Sequence, residues 1–341
     1  MTKYTSNDIV IRAGDHLESL PDNVRSAHVV VGNFDGVHIG HRALLQRASE
    51  LSARDGSPVV ALTFEKSADC VAGTAEPKLN YRLTDRQEKV RLLLECGVDA
   101  VVTQILDARS ATVAPASFVE TTLARDFAAR SLIVGQNFRL GTDGRPTSND
   151  FVETGPKVGI SVHVVPPPVA RRGNEYVTSS AVHALIEAGD ITTANAFLGR
   201  RWALDGIVVH GDKRGRELGF PTANLALNID VGLKFGVYAV RLLLNRRILE
   251  GVACYGKRPQ FDDGAPRLEV HLLDFCDDIY GQQVCIEFVA FQRTEMMFCS
   301  VNALVQQMTA DCDDSRRLLR CEDTSAIVST LDRRRASPML H

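Results

Sequence analysis

The stretch Gly211-Asp-Lys-Arg-Gly-Arg-Glu-Leu-Gly-Phe-Pro-Thr-Ala-Asn224 follows an apolar, strand-like run over residues 203–210. Gly211, Gly215 and Gly219 alternate in it with Lys213, Arg214 and Arg216. Glycine admits positive φ and lets backbone N–H groups come close to a ligand. Lysine offers phosphate a point charge, and arginine a planar fork. The stretch closes on Pro221-Thr-Ala-Asn224. Thr222 and Asn224 are two residues apart, so on an extended segment they face the same side. A hydroxyl and an amide carbonyl on one face suit Mg²⁺ already carried by phosphates. A solvated basic hairpin turn has the same spacing. The stretch matches neither G-x-x-x-x-G-K-[ST] nor G-x-G-x-x-G.

Outward from this loop, residues 202–210, 236–244, 249–255, 268–275 and 284–291 read as short strands with polar turns and no helices between them. Closely spaced strands of that kind predict an antiparallel β-barrel. Val301, Leu304, Val305 and Met308 recur at helical spacing, and their stripe reads as core packed on the barrel. Residues after Cys321 read as a loosely ordered basic tail.

The N-terminal half has a different grain. An apolar run over residues 27–31 feeds into Gly32-Asn-Phe-Asp-Gly-Val-His-Ile-Gly-His41, after which Leu44, Leu45, Ala48 and Leu51 keep a helical period. Strand, glycine-rich turn and helix in that order form a phosphate cradle, with free N–H groups at the positive end of the helix dipole. His38 and His41 flank Gly40 at the helix mouth, so both rings could face one anion. The same pair could begin a metal site, but no third ligand is near; a purely structural role also fits. Strands at 58–64, 98–103 and 132–135 alternate with helices at 82–96 and 116–129, which predicts a parallel sheet with crossovers. Ligands of such sheets sit beyond the carboxyl ends of the strands. Gly135-Gln-Asn-Phe-Arg-Leu-Gly141 also follows a strand, so it and the histidine loop can reach one crevice. Thr178-Ser-Ser180 starts a further helix, where serines serve as caps. The join between the halves reads near residues 189–201.

A chain of 341 residues accommodates two domains, each with its own core. A net charge of −3 argues against a general nucleic-acid or membrane surface, so small molecules are the expected partners. Neither a membrane-length apolar run nor a signal-peptide core is present. The eight cysteines include no Cys-x-x-Cys pair, which suits reduced thiols in the cytoplasm.

Two sets of residues carry a resemblance. The loop ending in Gly-Phe-Pro-Thr-Ala-Asn224, with Leu268-Glu-Val-His-Leu-Leu-Asp-Phe275 downstream, resembles the signature of riboflavin kinases. The string from Gly32 to His41 contains the His-x-Gly-His of the nucleotidyltransferase superfamily. In its longer form it resembles bacterial FAD synthetases, in which an FMN adenylyltransferase module precedes a riboflavin kinase module. The likeness runs from about residue 27 to about residue 320 and keeps the module order.

The resemblance implies a Rossmann-like nucleotidyltransferase domain over residues 1–188, a β-barrel kinase domain over 189–321 with a packed helix, and a tail over 322–341. It implies Mg²⁺, with ATP, riboflavin, FMN and FAD as substrates and products. In the kinase it implies that Gly211, Lys213, Arg214, Gly215, Arg216 and Gly219 cover the ATP phosphates. Thr222 and Asn224 would hold Mg²⁺, Glu269 would be the general base, and Arg293, Glu295 and Phe298 would lie near the flavin. In the other module His38 and His41 would stabilise the phosphates as pyrophosphate leaves. Gly32, Asn33, Phe34 and Asp35 would form the nucleotide pocket, with Asn137 near it and Ser179 and Ser180 closing over phosphate.

The sequence departs from the family pattern at several places. His183 stands where an arginine is usual, Phe64-Glu-Lys-Ser-Ala68 replaces a Phe-x-Pro-His-Pro segment, and Thr-Asp-Gly-Arg-Pro146 follows Gly141. In the second half Cys254 replaces an asparagine and Gln260 a threonine. Two alternatives stand beside the bifunctional enzyme: a riboflavin kinase whose first module has lost efficient adenylylation, and a flavin-binding regulator without catalysis.

Overall fold

The computed structural model describes residues 7–11, 20–21, 24–66, 81–106, 114–139, 147–169, 175–211, 214–257, 266–322 and 327–336. By their contacts these residues form two units: 1–80 with 84–179, and 81–83 with 180–341.

The first unit is a parallel sheet of β1 (Asp8–Ile11), β2 (His28–Val31), β3 (Val59–Lys66), β4 (Ala100–Leu106), β5 (Ser131–Gly135) and β6 (Ser161–Val165). Their order is β1-β4-β3-β2-β5-β6, and every pairing is parallel. The helices are α1 (Ile39–Asp55), α2 (Arg86–Glu95), α3 (Phe118–Asp126), wound in the wider π register, and α4 (Ser148–Thr154). Alternate residues of the central strands feed two cores. Val29, Val31, Leu62 and Val134 meet Phe118, Phe127 and Phe151 on one face. Val30, Ala61, Val101 and Ile133 meet Leu44, Leu45, Leu92 and Leu93 on the other. Burial on both faces explains why these strands are continuous apolar runs. The chain leaves β2 for β3 on one side and returns to pair β5 on the other. The loops after β2 and β5 therefore emerge at the topological switch point, where ligands of such sheets bind.

The second unit is a closed antiparallel barrel of β7 (Ala203–Val209), β8 (Thr222–Leu227), β9 (Gly236–Leu244), β10 (Arg247–Gly256), β11 (Arg267–Leu272) and β12 (Gln283–Arg293). Around the barrel they run β10-β11-β8-β7-β12-β9. Trp202 stacks on Phe288 at 5.1 Å, and Tyr238 meets Phe288 edge-on. The remaining helices are α5 (Ser179–Ala188), α6 (Ile191–Leu198), the single turn α7 (Arg214–Glu217), α8 (Val301–Glu322) and α9 (Thr330–Ala336). A three-residue piece, 81–83, also belongs here. Leu83 is buried, and its carbonyl accepts the indole N–H of Trp202 at 2.8 Å.

The contacts divide the chain at Ser179/Ser180, with residues 180–188 of α5 and all of α6 in the barrel unit. Two expectations are corrected. On α8 the fully covered positions are Asp311, Ser315 and Leu319, four apart; of the expected stripe Leu304, Val305 and Met308 are half-buried and Val301 is 61% exposed. The polar pair can be buried because Arg293 grips Asp311 with two bonds of 2.8 and 2.6 Å and Gln292 bonds Ser315. The end of the chain is not a loose tail over its described part. Leu331 is fully buried, and the buried carboxylate of Glu287 on β12 accepts bonds from Ser329 Oγ at 2.9 Å and the Leu331 N–H at 3.2 Å. Arg334 pairs with Asp205, so part of the basic composition is matched charge.

Candidate active sites

In the first unit the loop after β2 turns through left-handed backbone at Phe34 (φ +53°), Gly36 (φ +77°) and Val37 (φ +39°). Phe34 and Val37 are fully buried, so their side chains anchor the loop in the core. His38 then caps α1. Its Nδ1 accepts the N–H of Gly40 at 3.1 Å and of His41 at 3.3 Å. With Nδ1 an acceptor, the neutral ring carries its proton on Nε2, which is then a donor. The His41 ring stacks on His38 at 3.7 Å, and Phe34 meets His41 edge-on at 5.2 Å. Gly40 is required here: a Cβ would lie 2.9 Å from His38 Cε1 and 3.1 Å from the Val177 carbonyl. Two stacked imidazoles at a helix N-terminus suit the charge of a leaving phosphate.

The other expected residues of this unit divide. Asn33 is exposed beside the loop, and Asn137 is exposed in the turn after β5, the neighbour of β2. Asp35 is buried and serves the loop itself: its carboxylate accepts the Thr84 N–H at 3.4 Å, and its carbonyl accepts the Ser179 hydroxyl at 3.0 Å. Ser180, exposed, and His183, half-buried, lie on α5 and group with the barrel unit.

In the barrel, strand register assembles the site. Asn224 on β8 lies opposite Glu269 on β11, and Thr222 lies opposite His271. Cys254 on β10 lies opposite Glu269 on its other side. Leu268, Val270 and Leu272 alternate into the barrel, leaving Glu269 and His271 on the outer face with Thr222 and Asn224. The Thr222 hydroxyl donates to Glu269 Oε2 at 3.4 Å. Asn224 Oδ1 is a buried acceptor with no hydrogen-bond partner. An orphaned amide oxygen beside a hydroxyl fits a hard cation brought in with phosphate. Among the described residues no cluster of His, Cys, Asp and Glu could hold a metal by itself.

The glycine loop closes over this face. A Cβ on Gly211 would lie 2.2 Å from Asn224 Nδ2, so only glycine lets the loop start there. Arg214, Gly215 and Arg216 form α7, which Gly219 ends in left-handed backbone (φ +87°). Pro221 is held from below, its carbonyl accepting from His271 Nδ1 at 2.8 Å. Lys213 lies outside the described residues, as do residues 67–68, 141–146 and 258–260, where the sequence departs from the family pattern.

Both halves of the chain match known families. A riboflavin kinase family model matches residues 198–319, and an FAD synthetase model matches residues 20–181. The bifunctional riboflavin kinase/FMN adenylyltransferase of Escherichia coli K12 is 37% identical over 287 residues, covering 83% of this chain and 90% of its own. That of Listeria monocytogenes is 31% identical over 290 residues, covering 84% and 91%. The chain belongs to the bifunctional riboflavin kinase/FMN adenylyltransferase family. A Streptococcus pneumoniae structure titled a macrolide-efflux protein shares the fold, with a TM-score of 0.79 at 30% identity over 90% of this chain and 98% of that one. In this family member no helix among the described residues is long and apolar enough to cross a membrane.

Residues without a motif join the expected ones in both units. Arg293, expected near the flavin, is held in the ion pair with Asp311. Glu295 lies against Gly256, where a Cβ would overlap its carboxylate, and burial pushes its carboxyl up. Desolvation of the sulfur, then Glu295 and Glu269, push the Cys254 thiol up to about 11. Phe298 is half-buried, and beside it in sequence Met296 and Met297 are exposed, apolar surface of the kind that covers a flat ring. Thr63 and Thr84, which hold the histidine loop, carry no motif.

Proposed function

We propose that Glu269, Thr222 and Asn224 perform the phosphoryl transfer of this family member, and that His38 and His41 serve its adenylyl transfer. The chain phosphorylates riboflavin to FMN with ATP and adenylylates FMN to FAD. The observation that carries the residue assignment is the register placing Glu269 opposite Asn224 and within 3.4 Å of the Thr222 hydroxyl. Phosphoryl transfer needs positioning and charge neutralisation more than covalent chemistry. Glu269 accepts the proton of the terminal ribityl hydroxyl as its oxygen attacks the γ-phosphorus and ADP leaves. Thr222 and Asn224 would hold Mg²⁺, which supplies positive charge to the phosphates. Gly211, Gly215, Arg216 and Gly219 bring N–H groups and charge from above, with Arg214 and Lys213 in the same loop. Glu295, Phe298 and the exposed methionines border the flavin, and Arg293 keeps that border in place through Asp311.

In the first unit an FMN phosphate oxygen attacks the α-phosphorus of ATP and pyrophosphate departs. The Nε2–H of His38 and the stacked His41 donate to the oxygens that gain charge. Gly32, Asn33 and Phe34 shape the rim, Asn137 stands in the turn after the neighbouring strand, and Ser179 bonds the loop at Asp35. We place both reactions in the cytoplasm, which suits the free thiols of the described cysteines. Incubation with riboflavin, ATP and Mg²⁺, with the flavins separated over time, tests the reading. FMN appearing first and FAD later is the expected result. FMN alone overturns the adenylyl assignment, unchanged riboflavin overturns the kinase assignment, and no FAD from supplied FMN and ATP overturns the adenylyl assignment independently.

A further inference from the structure

We infer that three hydroxyls, those of Thr63, Thr84 and Ser179, position the adenylyl-transfer histidines by pinning the loop that carries them. The inference rests on the assignment of His38 and His41 to that reaction. Left-handed backbone at a buried phenylalanine and at a β-branched valine is strained, and such backbone persists only where its surroundings over-determine it. The surroundings here are specific. Thr63 Oγ1 on β3 donates to the Asn33 carbonyl at 3.0 Å. Thr84 Oγ1 accepts the Gly36 N–H at 3.2 Å, and the Thr84 N–H returns a bond to the Asp35 carboxylate at 3.4 Å. Ser179 Oγ donates to the Asp35 carbonyl at 3.0 Å.

The three come from separate parts of the chain and take hold of residues 33, 35 and 36, immediately ahead of His38. Thr63 is fully buried and Thr84 is 2% exposed, so neither bond is easily replaced by water. His38 uses Nδ1 to cap α1, so its ring direction follows the loop backbone. Where Nε2 points is therefore set by residues that never touch the nucleotide. Thr63 and Thr84 are positioning residues, and the Ser179 hydroxyl joins them rather than facing phosphate.

Thr84→Val keeps the shape of the side chain and removes the oxygen. The expected result is a fall of roughly 10- to 10²-fold in kcat for FAD formation, the scale of a small misplacement of catalytic groups. KM for FMN changes far less, FMN formation from riboflavin stays at the wild-type rate, and Thr84→Ser restores FAD formation to within about threefold. A wild-type FAD rate in Thr84→Val overturns the inference, as does an equal loss in both activities, which would mark general destabilisation. Ser179→Ala supplies the second arm should Thr84→Val fold poorly: a several-fold loss confined to FAD formation supports the inference, and no loss overturns it. His38→Ala separates the two levels. If it leaves FAD formation intact, the site assignment is wrong; if it abolishes FAD formation while Thr84→Val and Ser179→Ala do nothing, only the pinning is wrong.

Discussion

In the parallel-sheet unit the groups proposed to meet phosphate hang from a loop that is left-handed at Phe34, Gly36 and Val37. In the barrel unit they stand on paired strands, with Thr222, Asn224 and Glu269 aligned by the ladder itself. The loop achieves a geometry that no strand or helix offers, at a backbone cost of roughly 1–3 kcal/mol for each strained residue, and it needs bonds from elsewhere to keep it. The ladder needs no strain, because period-two alternation already puts residues 222 and 224 on one face. The first site should therefore be sensitive to residues distant from the nucleotide, and the second to its own reacting groups.

The largest effect expected from this contrast is in the barrel. Glu269→Gln preserves shape but removes the proton acceptor, and FMN formation should fall about 10²- to 10⁴-fold. FAD formation from supplied FMN should stay at the wild-type rate, measured on the same preparation. Riboflavin phosphorylation near the wild-type rate would remove Glu269 from the chemistry. The loop gives the next effect. In Gly40→Ala the new methyl meets His38 Cε1 at 2.9 Å and the Val177 carbonyl at 3.1 Å, so the capping ring must move. FAD formation should drop by roughly 10- to 10²-fold while FMN formation is untouched. A variant with both rates intact would show that the ring tolerates displacement and that the loop is less demanding than the contrast requires.

The smallest effect concerns the far end of α1. There Asp55 accepts the Ser57 N–H and a bond from buried His28, which itself bonds Ser131 on β5. The Ser57 bond, then the histidine, hold its carboxyl down at about 2. A carboxyl depressed on folding contributes stability above its ordinary value near 4, and loses that contribution as pH falls towards 2. Asp55→Asn should therefore be less stable than the wild type at neutral pH, and the difference should shrink as pH falls from about 4 towards 2. Identical stabilities across this pH range would show that the pair is immaterial to holding α1.

The parallel strands were legible because burial on both faces makes them unbroken apolar runs, as at residues 29–31 and 132–134. β1 and β6 were not, because they are edge strands; Ser161-Val-His-Val-Val165 is mostly half-covered and carries polar residues. β8 hid inside the phosphate loop motif, where Pro221 and Asn224 disguise a strand. α8 misled because its covered positions include Asp311 and Ser315, whose partners on β12 no periodicity reveals. The site showed the same division. His38 and His41 stand three apart, and Thr222 and Asn224 two apart, in glycine-bearing motifs, with Glu269 in a second motif downstream, whereas Thr63 and Thr84 lie 30 and 48 positions from the atoms they hold. Hydroxyls in ordinary apolar segments give no local signal of a distant partner.

The placement of residues 81–83 also has a consequence for how such a chain can be inherited. The path runs from the first unit into the second for three residues, back into the first, and finally into the second at Ser180. A recombination event joining a new nucleotidyl half to this barrel at one crossover would bring in a foreign segment at those three positions. Unless that segment also presented a carbonyl to Trp202 and an apolar side chain for the place of Leu83, the indole N–H would be stranded and a hole left in the packing. The two halves are modules by their folds, but the genetic boundary between them is interleaved, which favours inheriting the pair intact.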